Sequence, residues 1–186
     1  MSDSPRMPLA AAEREASSFR AMFLDYCQRW EIAGSVRRQT ETVGDIEHVA
    51  IPAFGPATPD GAMFPDPNAN LLLHAMDRAV ADGKIAKAIY SDGHTRWGEK
   101  YRGAILRGVR HEVFLAEPDN WGAILTIRTG PAEFSKRLVT QLLDGRRLRQ
   151  QGGFVRYEDG TIYPCRDEEA FFHVCGEPFV LPKERR

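Results

Sequence analysis

The segment Ala33–His48, AGSVRRQTETVGDIEH, constrains this chain more than any other stretch. Its second half alternates acid and apolar residues with the period of a β-strand, so Asp45 and Glu47 are expected on one face, with Ile46 and Val49 assigned to the other. Two carboxylates held side by side repel unless a cation lies between them, and hard oxygen donors of this kind suit magnesium or manganese. Ahead of them, Gly34-Ser35 reads as a turn offering backbone N–H groups and a hydroxyl to an anion, with Arg37 and Arg38 adding positive charge. Each piece alone is more often an ordinary turn, a solvated face or a strand edge. In this order and spacing they point to a nucleoside triphosphate and its metal.

A second acidic stretch lies at Arg110-His111-Glu112-Val113-Phe114-Leu115, again read as a strand, followed by Glu117-Pro118 and the run from Trp121 to Pro131. Together these motifs resemble the nucleotidyltransferase superfamily and, within it, the family X DNA polymerases of the DNA polymerase beta type. Gly34, Ser35, Arg37, Arg38, Gly44 and Asp45 match the family pattern, and Glu47 stands where the family carries Asp. Glu112 falls on the family's third catalytic aspartate, with Arg110 matching the arginine beside it. Thr129 and Gly130 match the turn where the sugar of the incoming nucleotide packs. Pro131 replaces a Ser of that turn, and Ile127 and Arg128 replace an aromatic pair used against the sugar. The carboxy-terminal Asp167-Glu168-Glu169, Phe171-Phe172 and Pro182-Lys183-Glu184-Arg185 resemble the family's thumb ending.

The resemblance implies an α+β fold. A nucleotidyltransferase palm, a small mixed sheet backed by helices, would span 10–129 after a loose stretch over 1–9, and a small thumb would span 130–186. It implies catalytic and metal-binding roles for Asp45, Glu47 and Glu112 around two Mg2+ or Mn2+ ions. Gly34, Ser35, Arg38, Gly44, Thr129 and Gly130 become the nucleotide-binding residues. Arg110, Lys136, Arg137, Arg146, Arg147 and Arg149 become the candidate nucleic-acid contacts, with Glu158, Asp159 and the Asp167–Glu169 cluster as competing partners for that charge. The implied activity is addition of dNTPs to a primer 3′-OH in gap filling or DNA repair, by a minimal form without the family's lyase and helix-hairpin-helix domains, of the kind viruses and phages use. A transferase acting on an RNA end, a small molecule or a protein, and a degenerate nucleic-acid-binding module, are the other readings. Two aspartates replaced by longer glutamates shift the oxygens, and a displacement of about 1 Å can cost roughly 10²-fold in rate.

Composition narrows the remainder. A net charge of −1 argues against a uniformly basic nucleic-acid binder. No apolar run approaches the ~18 residues of a membrane span, and no export signal opens the sequence. Cys27, Cys165 and Cys175 lack metal-type spacing and read as reduced thiols of an intracellular, monomeric protein in the cytoplasm, or the host cytoplasm for a virus or phage. His48, His74, His94, His111 and His173 look scattered. Periodicity predicts helices over Ala10–Gln28 and Asn70–Ala81, short strands around Trp30–Ala33 and Ile85–Tyr90, and a Pro/Gly-rich loop over 52–68. Helices are expected from Asn120 to Leu143, and a β-type tail at Phe154–Tyr163.

Overall fold

The two strands that carry the acidic motifs lie next to each other and run parallel. In the computed structural model of the chain, residues 6–58, 63–143 and 148–186 are described. Met7–Pro8 (β1) leads directly into a helix, Leu9–Phe23 (α1), so residues 7–9 are ordered where a loose stretch was expected. The predicted first helix ends five residues early, at Phe23: Leu24–Tyr26 tightens into a 3-10 turn, and Cys27 opens the strand Cys27–Ile32 (β2). A one-turn helix, Gly34–Arg37 (α2), stands where the Gly-Ser turn was expected. Thr42–Val43 (β3) pairs antiparallel with β1, and Ile46–Pro52 (β4) follows.

The Pro/Gly-rich segment is not a plain loop. Phe54–Ala57 (β5) and Asp66–Asn70 (β6) form an antiparallel hairpin, with residues 59–62 outside the described residues. Asn70 caps the helix Leu71–Ala81 (α3), its Oδ1 accepting from the Leu73 N–H at 3.1 Å. The expected Ile85–Tyr90 strand shrinks to Ala86–Lys87 (β7), with a lone bridge at Ile89. Tyr101–Leu106 (β8) and Val109–Leu115 (β9) complete a mixed five-stranded sheet in the order β2-β4-β9-β8-β7, in which only β4 and β9 are parallel. The fold is α+β, as the sequence implied.

This sheet is buried on both faces, as parallel central strands usually are. On one side, Phe19 and Phe23 of α1 and Leu72 and Met76 of α3 pack on Trp30, Ala50 and Val113. Fully burying each of the larger side chains contributes about 1.5–3 kcal/mol. On the other side, Trp121–Thr129 (α4) covers Val49, Ile51 and Phe114 through Trp121 and Leu125. Val49 therefore shares the face of Glu47, not that of Ile46, because the two apolar residues are three positions apart and strand faces alternate by two. Ile46, His48 and Ala50 form the opposite face.

A second apolar core gathers around Ala132–Leu143 (α5), the strands Leu148–Gln151 (β10), Phe154–Tyr157 (β11) and Ile162–Tyr163 (β12), and the helix Glu168–Cys175 (α6). Phe134, Leu138, Val155, Phe171 and Phe172 fill it. Asp167 caps α6 by accepting from Ala170 N–H at 2.7 Å. The two cores meet where α4 crosses α6. Gly122 N–H donates to Cys165 O at 2.7 Å, and a Cβ on Gly122 would collide with Asp167 O. Among the described residues no helix is long and apolar enough to cross a membrane, and no disulfide joins the cysteines.

Candidate functional site

Asp45 occupies a bend one residue before β4, rather than the strand itself, while Glu47 lies within it. Glu47 and Glu112 are register partners on the parallel strands β4 and β9. Adjacent strands are about 4.8 Å apart, so the two carboxylates leave the same face of the sheet side by side. Burial and the neighbouring charges of Asp45 and Glu112 push the Glu47 carboxyl up to about 8. Glu112 is raised as well, first by burial and then by Asp45. The three carboxylates thus feel one another, as the alternate acid pattern suggested.

The α2 turn reaches this pair through a glycine. Ala33 N–H donates to Glu47 O at 2.8 Å, locking the turn to the strand. Gly34 has φ +61°, and a Cβ at that position would strike the Glu47 carboxylate. Its neighbours divide the work. Arg38 lies electrostatically close to Glu47 and donates to Thr129 O. Arg37 turns away from the acids, making a bidentate ion pair with Glu168 (2.8 and 2.6 Å) and donating to Thr129 Oγ1 at 2.9 Å. Glu168 also accepts from Thr126 Oγ1 at 3.2 Å and pairs with Arg185 at 2.9 Å. Burial alone would raise the Glu168 carboxyl, but the guanidinium groups of Arg37 and Arg185 hold it below its ordinary range. Arg37 is therefore a bolt between the two cores. Thr129 is fully buried beneath it, Gly130 is buried beside it, and Ser35 and Gly44 are half-buried at the turn.

Glu112 has partners that the local sequence did not announce. The Tyr90 hydroxyl donates to Glu112 Oε1 at 3.2 Å and is hydrogen-bonded to the Tyr101 hydroxyl. Burial raises both phenols, so they stay protonated and act as donors. Gly103, the register partner of Glu112 on β8, makes this possible, because a Cβ there would run into the Tyr90 ring and hydroxyl. Arg96 and Arg110 stack on Tyr90 at 4.3 and 5.0 Å from the ring centroid. Arg110 thus supports Tyr90, and its Nε finds no hydrogen-bond partner among the described residues. Arg128, flagged in the sequence only as a lost aromatic, lies over Phe114 at 3.8 Å, and its charge offsets part of the rise of the Glu47 carboxyl. Glu112, Arg128 and Tyr101 face a cavity of about 490 Å3, to whose lining Gly152 and Gly153 also contribute.

The remaining predicted cations are spread apart. Lys136 and Arg137 are exposed on α5, with Arg137 paired to Glu177 at 3.4 Å. Arg149 lies on β10, within 3.4 Å of Glu158 O. Arg146 and Arg147 lie outside the described residues. The histidines are less scattered than they looked. Trp30 Nε1–H donates to His48 Nδ1 at 3.1 Å, so His48 carries its proton on Nε2 and donates to His111 Nδ1 at 3.1 Å. Both rings are fully buried and stacked with Phe19, directly behind Glu47 and Glu112.

Asp45 beside two buried carboxyls that its charge helps to raise, Glu47 and Glu112, is the donor chemistry of a hard divalent cation, which would relieve their repulsion. Among the described residues no three such side chains are already drawn to ligating distance, so the fit is one of donor type and strand register. No protein-family model matches this sequence, and no curated protein matches it.

Proposed function

We propose that the chain is a metal-dependent nucleotidyltransferase, with a minimal family X-like DNA polymerase as the leading form. One observation carries the reading: Glu47 and Glu112 are paired in register, with Asp45 acting on both, beside a cation-bearing turn whose glycine admits the Glu47 carboxylate. Asp45, Glu47 and Glu112 would hold the metal, two Mg2+ or Mn2+ ions that supply charge neutralisation at the phosphates and acidify the attacking hydroxyl. The chain's own groups do the rest. Glu112, with one oxygen held by Tyr90, is the base that takes the hydroxyl proton on its other oxygen. Arg38, the Ser35 hydroxyl and the Gly44 N–H meet the triphosphate tail. The carboxy-terminal core acts as the thumb, fastened to the palm by Arg37 and Glu168.

A labelled primer on a gapped template, incubated with each dNTP or NTP and with magnesium or manganese, tests the reading. Asp45→Asn should nearly abolish turnover, and Arg38→Ala should mainly raise the KM for nucleotide. Wild-type turnover in Asp45→Asn would sink the assignment. One observation favours an acceptor other than a long duplex: Arg137 and Arg149, expected to grip its backbone, are engaged by Glu177 and the Glu158 carbonyl. Labelled RNA ends and small-molecule acceptors in the same assay separate the two.

A further inference from the structure

A second cavity lies alongside the one that Glu112 faces. Its volume is about 520 Å3, and Lys100, Leu115 and Glu117 line both, so the two adjoin there as the two halves of a candidate groove. The halves differ in chemistry. The half beside Glu112 brings Arg96, Lys100 and Arg128 against the acids Glu112 and Glu117. The other half runs beneath the β5–β6 hairpin, where its walls turn apolar at Ile51, Pro52 and Leu115 and its rim carries the amides of Gln28, Asn68 and Asn70. The Phe54 ring stands at that rim, 54% exposed and outside the apolar cores formed among the described residues. Phe54 and Asn70 are register partners across the hairpin and therefore share one face. With Asn70 Oδ1 accepting from Leu73 N–H, its NH2 is the group left to donate outward.

Cations followed by an exposed ring with amides around it match a polymer of charged phosphates and flat, hydrogen-bonding bases. Each half is of a size to take one nucleotide. Pairing to a complement covers the Watson–Crick edge of a base, so an unpaired base is the form that offers that edge to the amides. We propose that this groove receives an unpaired 3′ end of a nucleic acid: the terminal sugar and its phosphate beside Glu112 and Arg128, and the penultimate base on Phe54. That the end is a 3′ end, and what happens to it, rest on the nucleotidyltransferase reading; the binding of an unpaired strand does not.

Fluorescence anisotropy with a labelled deoxythymidine 12-mer, at low salt and without nucleotide, tests it. The probes are the free strand, the same strand annealed to its complement, and an abasic sugar–phosphate strand of equal length. Base stacking on one aromatic ring is worth about fivefold in affinity or more. The free strand should therefore bind at least about fivefold tighter than the abasic strand and the duplex. Phe54→Ala should erase that advantage while leaving the abasic strand unchanged. Because Phe54 is half exposed, the variant should melt with the wild type; Phe179→Ala, an exposed ring elsewhere, should change nothing. Equal affinity for free and abasic strands, tighter binding of the duplex, or a free-strand affinity within about twofold of wild type in a folded Phe54→Ala protein would overturn the proposal. Failure of Asp45→Asn to alter metal–nucleotide binding, with the strand results intact, would instead count against the transferase reading alone.

Discussion

Replacing Glu168 by Gln isolates the bolt between the two cores. The substitution keeps the shape of the side chain but removes its charge, and it turns one acceptor oxygen into a donor facing a guanidinium that is 2.6 Å away. Two cations are then left without their counter-ion. Arg37, whose side chain keeps 22% of its exposure, can partly rehydrate; Arg185, at 0%, cannot. Removing one partner of a buried ion pair costs about 3–5 kcal/mol, most of it the burden of the uncompensated charge. For a chain of this length that is a fall in Tm of roughly 6–20 °C. The contrasting pair is Arg166–Asp119, whose side chains are 73% and 42% exposed and whose removal should cost about 1 kcal/mol or less. Urea unfolding of both variants, in low salt and again in 1 M salt, gives the comparison. The Glu168→Gln loss should survive high salt, because ions do not screen a buried pair. A loss under about 1 kcal/mol, or one that vanishes in salt, would refute the claim that this carboxylate holds the cores together.

Two further expectations concern the carboxylate strands. Burial holds His48 well below the ordinary imidazole range and His111 down to about 3, so below about pH 6.5 the unfolded chain binds two protons that the native chain refuses, and stability falls as pH falls. Glu47, raised to about 8, works the other way: between about pH 4.5 and 6.5 the native chain holds a proton that the unfolded chain has lost, offsetting one imidazole. Glu47→Gln removes that offset, so the acid-side slope of stability against pH should steepen by about 1.4 kcal/mol per unit; an unchanged slope in urea titrations at several pH values would contradict it. Gly103→Ala should drive Tyr90 off Glu112 and cut transfer by at least about tenfold with little effect on nucleotide KM, since the displaced Tyr90 positions the proposed base, Glu112, rather than a phosphate contact. Wild-type turnover in that variant would remove Tyr90 from the site.

Local signals were legible where one residue decides the outcome. The Asn70 cap and the apolar spacing of Leu72 and Met76 give α3 nearly to the residue. Glu47 and Glu112 were likewise readable as acids on strands, whereas Asp45 falls in the bend just before β4. Other features depend on partners far away in sequence. Val49 was assigned to the wrong face because a strand buried on both sides loses its polar alternation, and only strict parity separates its faces. The β5–β6 hairpin hid behind Pro56 and Pro67, which a two-stranded edge ribbon tolerates and a central strand does not. Arg37 and Arg38 are chemically identical neighbours, and only the distant Glu168 tells them apart. Nothing near Glu112 announces Tyr90, which reaches it across the space left by Gly103.

The reach of Arg37 also sets an order of events in folding. Its carboxylate partner lies 131 residues further along the chain. Contacts of such separation form late, since the loop they close must first lose its freedom. The α2 turn can therefore take its shape early against β4, through the Ala33–Glu47 hydrogen bond, yet its ion pair to Glu168 must wait until α6 has docked. A ribosome releasing this chain would expose the acidic strands well before the turn beside them is secured. Completion of the site thereby becomes a signal that both cores have folded, and a chain stalled between them would carry the acids beside a turn whose Arg37 has no counter-ion.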